Sequence, residues 1–257
     1  MATNYTTVTE VPGIEASREQ LAMLYTRYAY AAEFCCGNDV LEVACGAGLG
    51  LGYLAKKART VVGGDYTDNL LTGAKKYYNG RVPLLRLDAH ALPFRDSSFD
   101  MVLLYEAIYY LANPEHFLDE CRRVLREKGM LLLCTVNKEW SDFNPSPFST
   151  RYFSARELSE LLRKHGFRFE LHGAFPVKKD SANDHVVSFL KRLAVALHLI
   201  PKTMKGKELL KRFFLGSLSP LPSEVHEGMA GYTPPVAISD TEACPRFKIL
   251  FALAYLG

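Results

Sequence analysis

The sequence predicts an α/β protein with a doubly wound, mostly parallel sheet of seven strands and a helical insertion before the last strand. Short apolar runs alternate with stretches of helical composition through residues 37–175, which is typical of strands that are buried on both faces and joined by helical crossovers. Residues 177–246 interrupt this alternation, and one more apolar run follows at 247–255. The composition, 48% apolar and 23% charged over 257 residues, is that of a globular protein.

Each predicted element has a local signal. Residues 15–35 contain good helix formers and few breakers. Asn113 and Pro114 form a helix start, with a capping side chain followed by proline at the first helical position, and Lys128-Gly129 predicts its end. A capping box at Ser154 opens a helix that ends at Gly166. The predicted strands, in chain order, are 39–44, 60–65, 82–88, 99–106, 129–136, 167–175 and 247–255.

The chain divides into four predicted parts. These are an N-terminal helical cap (1–36), a core (37–176), an insertion (177–246) and the last strand of the core sheet (247–257). The insertion combines one or two helices, at about 185–199 and 205–215, with a Pro-rich stretch. Such a segment either covers a site, contacts an acceptor or forms an oligomer contact, and composition does not decide among these.

Composition and patterning exclude several classes of protein. The net charge of +3 is too small to indicate a nucleic-acid partner. The polar N-terminus has no signal-peptide pattern, and no apolar run approaches the length of a membrane span, so we expect a cytoplasmic protein with reduced cysteines. The histidines and cysteines have no metal-ligand spacing, so we expect no metal.

The stretch LEVACGAGLG (41–50) places two glycines, Gly46 and Gly48, just after the first predicted strand. A dinucleotide-binding loop of the form GxGxxG would need a third glycine at position 51, where the chain has Leu51. An acidic residue four positions before the first of these glycines, Glu42, also disfavours a pyrophosphate. The carboxylate suits a ligand with a cationic or amine group instead.

Residues 42–48 resemble the E/D-x-G-x-G-x-G motif of class I S-adenosylmethionine (SAM)-dependent methyltransferases, with Ala44 in place of the first glycine. The resemblance extends over roughly residues 37–175 and implies a Rossmann-like methyltransferase fold that binds SAM and releases S-adenosylhomocysteine. Asp65 is similar to the family residue that binds the ribose hydroxyls. Asp88-Ala89 resembles the segment that binds adenine.

The residues that the resemblance and their positions assign to the cofactor are Tyr28, Glu42, Ala44, Gly46, Gly48, Asp65, Tyr66, Asp88, Ala89 and Tyr105. Five of these assignments have an alternative. Glu42 could be a solvated strand end, Asp65 a turn former, and Asp88 a cap of the next turn. Tyr66 either covers the adenine or is a surface aromatic residue. Tyr28, on a helix that often closes over the cofactor in this family, either contacts the ligand or packs in the core.

The candidates for catalysis follow the fourth predicted strand. Glu106 at the mouth of the site could accept a proton or bind a cationic substrate, and Tyr109 could line an acceptor pocket. The alternative for Glu106 is an acidic residue placed at the start of a helix by the helix dipole. The acceptor atom (O, N or C) stays open.

We expect a small-molecule acceptor such as a natural product, a sugar or a lipid-like metabolite. The [DNS]-P-P-[YFW] loop of nucleic-acid amino-methylases is absent, since Leu104-Tyr105-Glu106-Ala107 stands there. Two alternatives remain: a SAM-binding module without activity, and a methyltransferase acting on a membrane-associated, lipid-linked substrate through the basic stretch 186–215. A packed lid is favoured over this peripheral membrane contact, and the oligomeric state stays open.

Overall fold

The computed structural model describes residues 5–177 and 218–256. The helices are α1 (Arg18–Ala31), α2 (Leu51–Ala55), α3 (Asp68–Tyr78), α4 (Pro114–Val124) and α5 (Ala155–Lys164), with 3₁₀ turns at Tyr5–Thr7 and Ile108–Tyr110. The strands are β1 (Glu15–Ser17), β2 (Asp39–Val43), β3 (Thr60–Asp65), β4 (Leu84–Arg86), β5 (Phe99–Tyr105), β6 (Leu125–Val136), β7 (Phe167–Pro176), β8 (Leu218–Pro220), β9 (Val236–Ala237) and β10 (Phe247–Leu256).

The main sheet has the order β4-β3-β2-β5-β6-β10-β7-β9. The five strands from β4 to β6 pair in parallel, whereas β10 runs antiparallel to both of its neighbours. The doubly wound prediction is therefore confirmed, with eight strands rather than seven, because the two-residue β9 adds to the edge of β7. The strand order reverses between β2 and β5, and in such sheets ligands bind at the carboxyl ends of the strands beside this reversal.

Neighbouring residues of the central strands face opposite sides of the sheet and enter two separate apolar clusters. Leu103 of β5 packs on the side covered by α1, α2 and α3, and Leu104 packs on the side covered by α4 and α5. Both side chains have no solvent exposure. This two-sided burial explains why the strands appear in the sequence as continuous apolar runs.

The predicted end of the helix that starts at Asn113-Pro114 was wrong. Helix α4 ends at Val124 and not at Lys128, and β6 begins at once with Leu125, which pairs with Phe99. The next residue, Arg126, ties the early part of this strand to the sheet through Asp39 (2.9 Å). Lys128-Gly129 thus lies within β6, where the pairing with β5 shifts register between Leu125 and Met130 and Lys128 has a φ of +64°.

The N-terminal helix starts later than predicted, at Arg18. Ser17 caps it through a capping box with Gln20, and the residues from Glu15 to Ser17 instead pair with β8. This pairing joins two segments that are far apart in the chain, so no local signal could predict it. Strand β2, predicted over 39–44, ends at Val43, because Ala44 already has a φ of +57°.

Part of the predicted insertion lies outside the described residues, including both of its helices (185–199 and 205–215) and the basic stretch 186–215. The division into cap, core and insertion stays a prediction. Within the described ranges, no helix combines the length and apolar character needed to cross a bilayer.

Asn137 at the end of β6 is fully buried and donates to the carbonyls of Cys244 (2.7 Å) and Phe247 (2.9 Å). Replacing it with alanine leaves these acceptors unpaired, so we expect Asn137→Ala to lower the free energy of unfolding by about 3 kcal/mol. Urea denaturation measures this. Asn144→Ala, at an exposed position, is the matched control, and equal effects of the two substitutions would contradict the assignment.

Candidate functional site

A cavity of about 560 Å³ opens at the carboxyl ends of the parallel strands, beside the reversal between β2 and β5. Its volume lies in the range of small-molecule sites. Eleven of the twelve residues predicted for cofactor binding or catalysis line it: Tyr28, Glu42, Ala44, Gly46, Asp65, Tyr66, Asp88, Ala89, Tyr105, Glu106 and Tyr109. The fold therefore brings the predicted site together, although the role of each residue stays a prediction.

Gly48 is the predicted residue that does not line the cavity. Its φ is +74°, and its carbonyl accepts a hydrogen bond from the Tyr78 hydroxyl (2.6 Å). A Cβ at this position would lie 3.1 Å from Leu51 and 3.2 Å from Tyr78. Gly48 thus contributes to the shape of the loop, in contact with Leu51 and Tyr78, without lining the cavity.

The loop after β2 approaches the cavity with its backbone. Ala44 and Gly46 both have a φ of +57°, a conformation that is strained for alanine. Asp65, at the end of β3, accepts hydrogen bonds from the amides of Gly46 (2.8 Å) and Thr67 (2.7 Å). Burial raises the pKa of Asp65, against the effect of these amides. Each of its oxygens keeps acceptor capacity for a further donor, as a ribose diol requires.

Glu42 is almost fully buried at the floor of the cavity. Its Oε1 accepts from the Tyr28 hydroxyl (2.7 Å), whereas Oε2 has no partner among the described residues. Burial raises the pKa of Glu42 to about 7, against the hydrogen bond from Tyr28 and the charge of Arg27. An unpartnered buried carboxylate oxygen suits an ammonium group, such as that of the methionine part of SAM.

The adenine end of the predicted site is more open. Asp88 is exposed and accepts from both the amide (2.9 Å) and the ring Nδ1 (2.6 Å) of His90. These bonds hold the pKa of Asp88 below its usual value even though burial works against them. Tyr66 is 38% exposed, and Arg86 stacks on its ring. Tyr66 thus borders the cavity while partly exposed, and its place over the adenine stays a prediction.

Glu106 lies directly after β5 and has a φ of +50°. It is not the first residue of a helix, because the next element is the 3₁₀ turn that begins at Ile108. It accepts a hydrogen bond from the Tyr109 hydroxyl (3.0 Å), and its other oxygen lies 3.6 Å from the Cys134 thiol. Burial raises the pKa of Glu106, and the charge of Arg27 counteracts this. Non-glycine residues at positive φ occur at functional sites more often than elsewhere, because the surrounding structure must compensate the strain.

Three N-terminal residues of the cavity were not predicted from the sequence. Arg27, next to Tyr28 on α1, is buried and pairs with Glu10 (2.6 Å), and both line the cavity together with Tyr5. A charged residue on the apolar face of α1 was the available signal. Its partner Glu10 precedes the helix in an irregular segment, where no periodicity applies.

Comparisons with known proteins agree with this geometry. Residues 41–133 match the model of a methyltransferase domain family. A probable S-adenosylmethionine-dependent methyltransferase of Mycolicibacterium smegmatis is 35% identical over 175 residues, which cover 64% of this chain and 67% of the relative. The chain belongs to the SAM-dependent methyltransferases.

Two further proteins extend the comparison. Phthiotriol/phenolphthiotriol dimycocerosates methyltransferase 1 of Mycobacterium ulcerans is 36% identical, over 58% of this chain and 57% of its own length. A solved SAM-dependent methyltransferase from Thermotoga maritima, described as a possible histamine N-methyltransferase, shares the fold with a TM-score of 0.59 at 18% identity, over 93% of this chain and 92% of its own. The chain spans about two thirds of the M. smegmatis relative and little more than half of the M. ulcerans relative.

The protein is thus an enzyme that uses SAM, which rules out the dinucleotide-dependent interpretation of the glycine loop. The residues present fit the cofactor, because the unpaired Oε2 of Glu42 and the free acceptor capacity of Asp65 complement its ammonium and diol. Within the described residues, no group of three or more His, Cys, Asp or Glu side chains could hold a metal ion.

Asp65 offers a direct test of cofactor binding. Asp65→Ala removes the two acceptors proposed for the ribose diol, so we expect the affinity for S-adenosylhomocysteine to fall about a hundredfold or more. Calorimetric titration measures this. Asp96→Ala, at a highly exposed carboxylate, is the matched control, and unchanged binding by a folded Asp65→Ala protein would refute the assignment.

The raised pKa of Glu42 predicts a pH-dependent stability in the absence of cofactor. Folding favours the protonated form of Glu42, so its contribution to stability is lost as the pH rises from 4.5, the ordinary pKa, through about 7, the raised pKa. As the pH rises over this range, the free energy of unfolding of the wild type should fall relative to that of Glu42→Gln, by about 3 kcal/mol in total. Urea denaturation between about pH 5 and 8 measures the difference, with exposed Glu127→Gln as control. A pH-independent difference would contradict it.

Proposed function

We propose that the enzyme transfers the methyl group of SAM to a small-molecule acceptor that binds over Glu106 and Tyr109. The observation that carries the proposal is the position of Glu106. Its carboxylate lies in the same cavity as Glu42 and Asp65 but at the end of β5, on the other side of the strand reversal. One half of the cavity, at Glu42 and Asp65, therefore suits the cofactor, and the other half contains a proton acceptor, Glu106.

The dimensions of the cavity support a small acceptor. About 560 Å³ must hold the cofactor together with the reacting part of the acceptor. That space suits a small molecule, or one end of a longer one. The M. ulcerans relative is named for lipid acceptors, which is compatible with a natural product or lipid-like metabolite here.

When bound, SAM supplies a methyl group on a positively charged sulfur, which is already activated for displacement. The protein contributes alignment, proton transfer and exclusion of water. Glu42 and Asp65 orient the cofactor through its ammonium and ribose groups. The rings of Tyr28 and Tyr105, which pack edge to face with centroids 5.5 Å apart, form the wall between α1 and the end of β5.

Glu106 acts as the general base for an acceptor whose nucleophile carries a proton. The Tyr109 hydroxyl donates to Glu106 Oε2 and so orients the carboxylate, while the weak contact of Oε1 with Cys134 leaves that oxygen able to accept a proton. Burial raises the pKa of Glu106, which makes its carboxylate a stronger base. The pKa of Tyr109 is also raised by burial and by the nearby Glu106, so its hydroxyl stays protonated and donates.

Glu106→Gln keeps the shape of the side chain and removes the base. We expect the rate of methyl transfer to fall about a hundredfold, and Tyr109→Phe to lower it about tenfold because the orienting hydrogen bond is lost. The affinity for S-adenosylhomocysteine should stay unchanged in both. Glu127→Gln and Tyr77→Phe, at exposed positions, are the controls.

The measurement uses SAM labelled in its methyl group and extracts of the cells that express the protein, separated into small molecules, lipids, protein and nucleic acid. We expect label in the small-molecule or lipid fraction. Label confined to protein or nucleic acid would disprove the proposed acceptor class. Full turnover by Glu106→Gln would disprove the proposed base and leave the acceptor class untouched.

A further inference from the structure

His90 lies two residues after Asp88, in the wall of the cavity at its predicted adenine end. Its backbone amide (2.9 Å) and its ring Nδ1 (2.6 Å) both contact Oδ1 of Asp88. Both bonds end on the same oxygen, and none from the described residues ends on Oδ2. One residue thus holds one oxygen of the carboxylate twice and leaves the other oxygen free to accept from a ligand.

The opposite side of the imidazole ring is held by the residue that caps α4. The amide of Asn113 donates to Nε2 of His90 at 3.2 Å. A backbone amide can only donate, so Nε2 must carry a lone pair, and the proton of the neutral ring therefore lies on Nδ1. His90 is thus an acceptor from Asn113 and a donor to Asp88.

The ring of His90 connects the loop after β4 with the loop after β5. Leu87 and Ala89 of the first loop line the cavity, and so do Ala107 and Leu111 of the second. These side chains are apolar, which suits the faces of a planar base. The polar edge of such a base then needs a fixed partner, and Asp88 lies beside these residues.

The carboxylate of Asp88 would turn easily if nothing held it. Its side chain is 51% exposed, and the terminal torsion of an aspartate is broad. Burial acts to raise the pKa of Asp88, but the hydrogen bonds from His90 outweigh this and lower it. The group is therefore ionised at neutral pH and held in one orientation, which is what a charge-assisted hydrogen bond to a ligand requires.

We propose that His90 is a positioning residue for adenine recognition, which holds Oδ1 of Asp88 and thereby presents Oδ2 to the exocyclic amine of the cofactor. The preference for adenine over a base without this amine then depends on His90 as well as on Asp88. The inference concerns the cofactor and goes beyond the proposed function. It rests on the predicted place of the adenine at Asp88 and not on the identity of the acceptor.

The test compares S-adenosylhomocysteine with its purine analogue, in which hydrogen replaces the 6-amino group. The analogue keeps all ring nitrogens, so the comparison isolates the amine. Calorimetric titration of the full chain should show that the wild type binds S-adenosylhomocysteine about tenfold more tightly than the analogue. The ratio is modest because water can solvate the exposed Asp88 when the amine is missing. Asp88→Ala should abolish the preference.

Two substitutions of His90 separate its two hydrogen bonds. Asparagine can place an amide nitrogen near the position of Nδ1, and glutamine can place an amide oxygen near that of Nε2. We therefore expect His90→Asn to keep most of the preference, whereas His90→Gln and His90→Ala reduce it to about twofold. Affinity for the purine analogue should be unchanged in all three. His116→Ala, at an exposed position of α4, is the matched control.

Three results would overturn the inference. Equal binding of both ligands by the wild type would remove the adenine from Asp88. A full preference in His90→Gln and His90→Ala would show that Asp88 needs no support. An equal loss of affinity for both ligands in every His90 variant would assign the histidine to the fold alone.

Should His90→Ala fail to fold, His90→Asn and His90→Gln decide. Failure of the proposed function is distinct, since it appears as absent methyl transfer to small molecules while the preference for adenine persists.

Discussion

The hydrogen bond from Tyr28 to Glu42 joins the N-terminal helix to the central strand of the sheet inside the protein. It exists only because position 50 is glycine, since a Cβ there would overlap the Tyr28 ring. The bond brings α1 close to the carboxyl ends of β2 and β5, where it completes the wall of the cavity. Tyr105 strengthens the contact by donating to the carbonyl of Arg27 (3.0 Å). The cofactor half and the acceptor half of the site therefore share this wall.

The segment after β8 holds α1 from its outer side. Glu227 accepts hydrogen bonds from Tyr25 of α1 (2.5 Å) and Tyr53 of α2 (2.6 Å), and the amide of Thr233 donates to Thr26 (3.1 Å). The helix is thus fixed by the sheet on one side and by a distant part of the chain on the other.

The predictable part of the structure consists of elements whose signals are local. The parallel strands, the capping box at Ser154 and the start of α4 at Asn113 follow from neighbouring residues, and the structure contains all of them. The end of α4 was missed because β6 pairs with β5 from Leu125 onward. That pairing overrides the helix-stop signal at Lys128-Gly129. The strand Glu15–Ser17 was missed for the same kind of reason, since its partner lies some 200 residues away.

The sequence by itself determined the fold class, the cofactor and eleven of the residues that line the site, because motifs at the ends of successive strands meet wherever parallel strands share one edge. Tertiary structure alone decided how those residues act. It turned Gly48 away from the cavity toward Tyr78, left one oxygen of Glu42 unpaired and placed Arg27 between Glu10 and Glu106. Burial, exact pairing and charge proximity arise from contacts between distant segments, and no pattern along the chain encodes them.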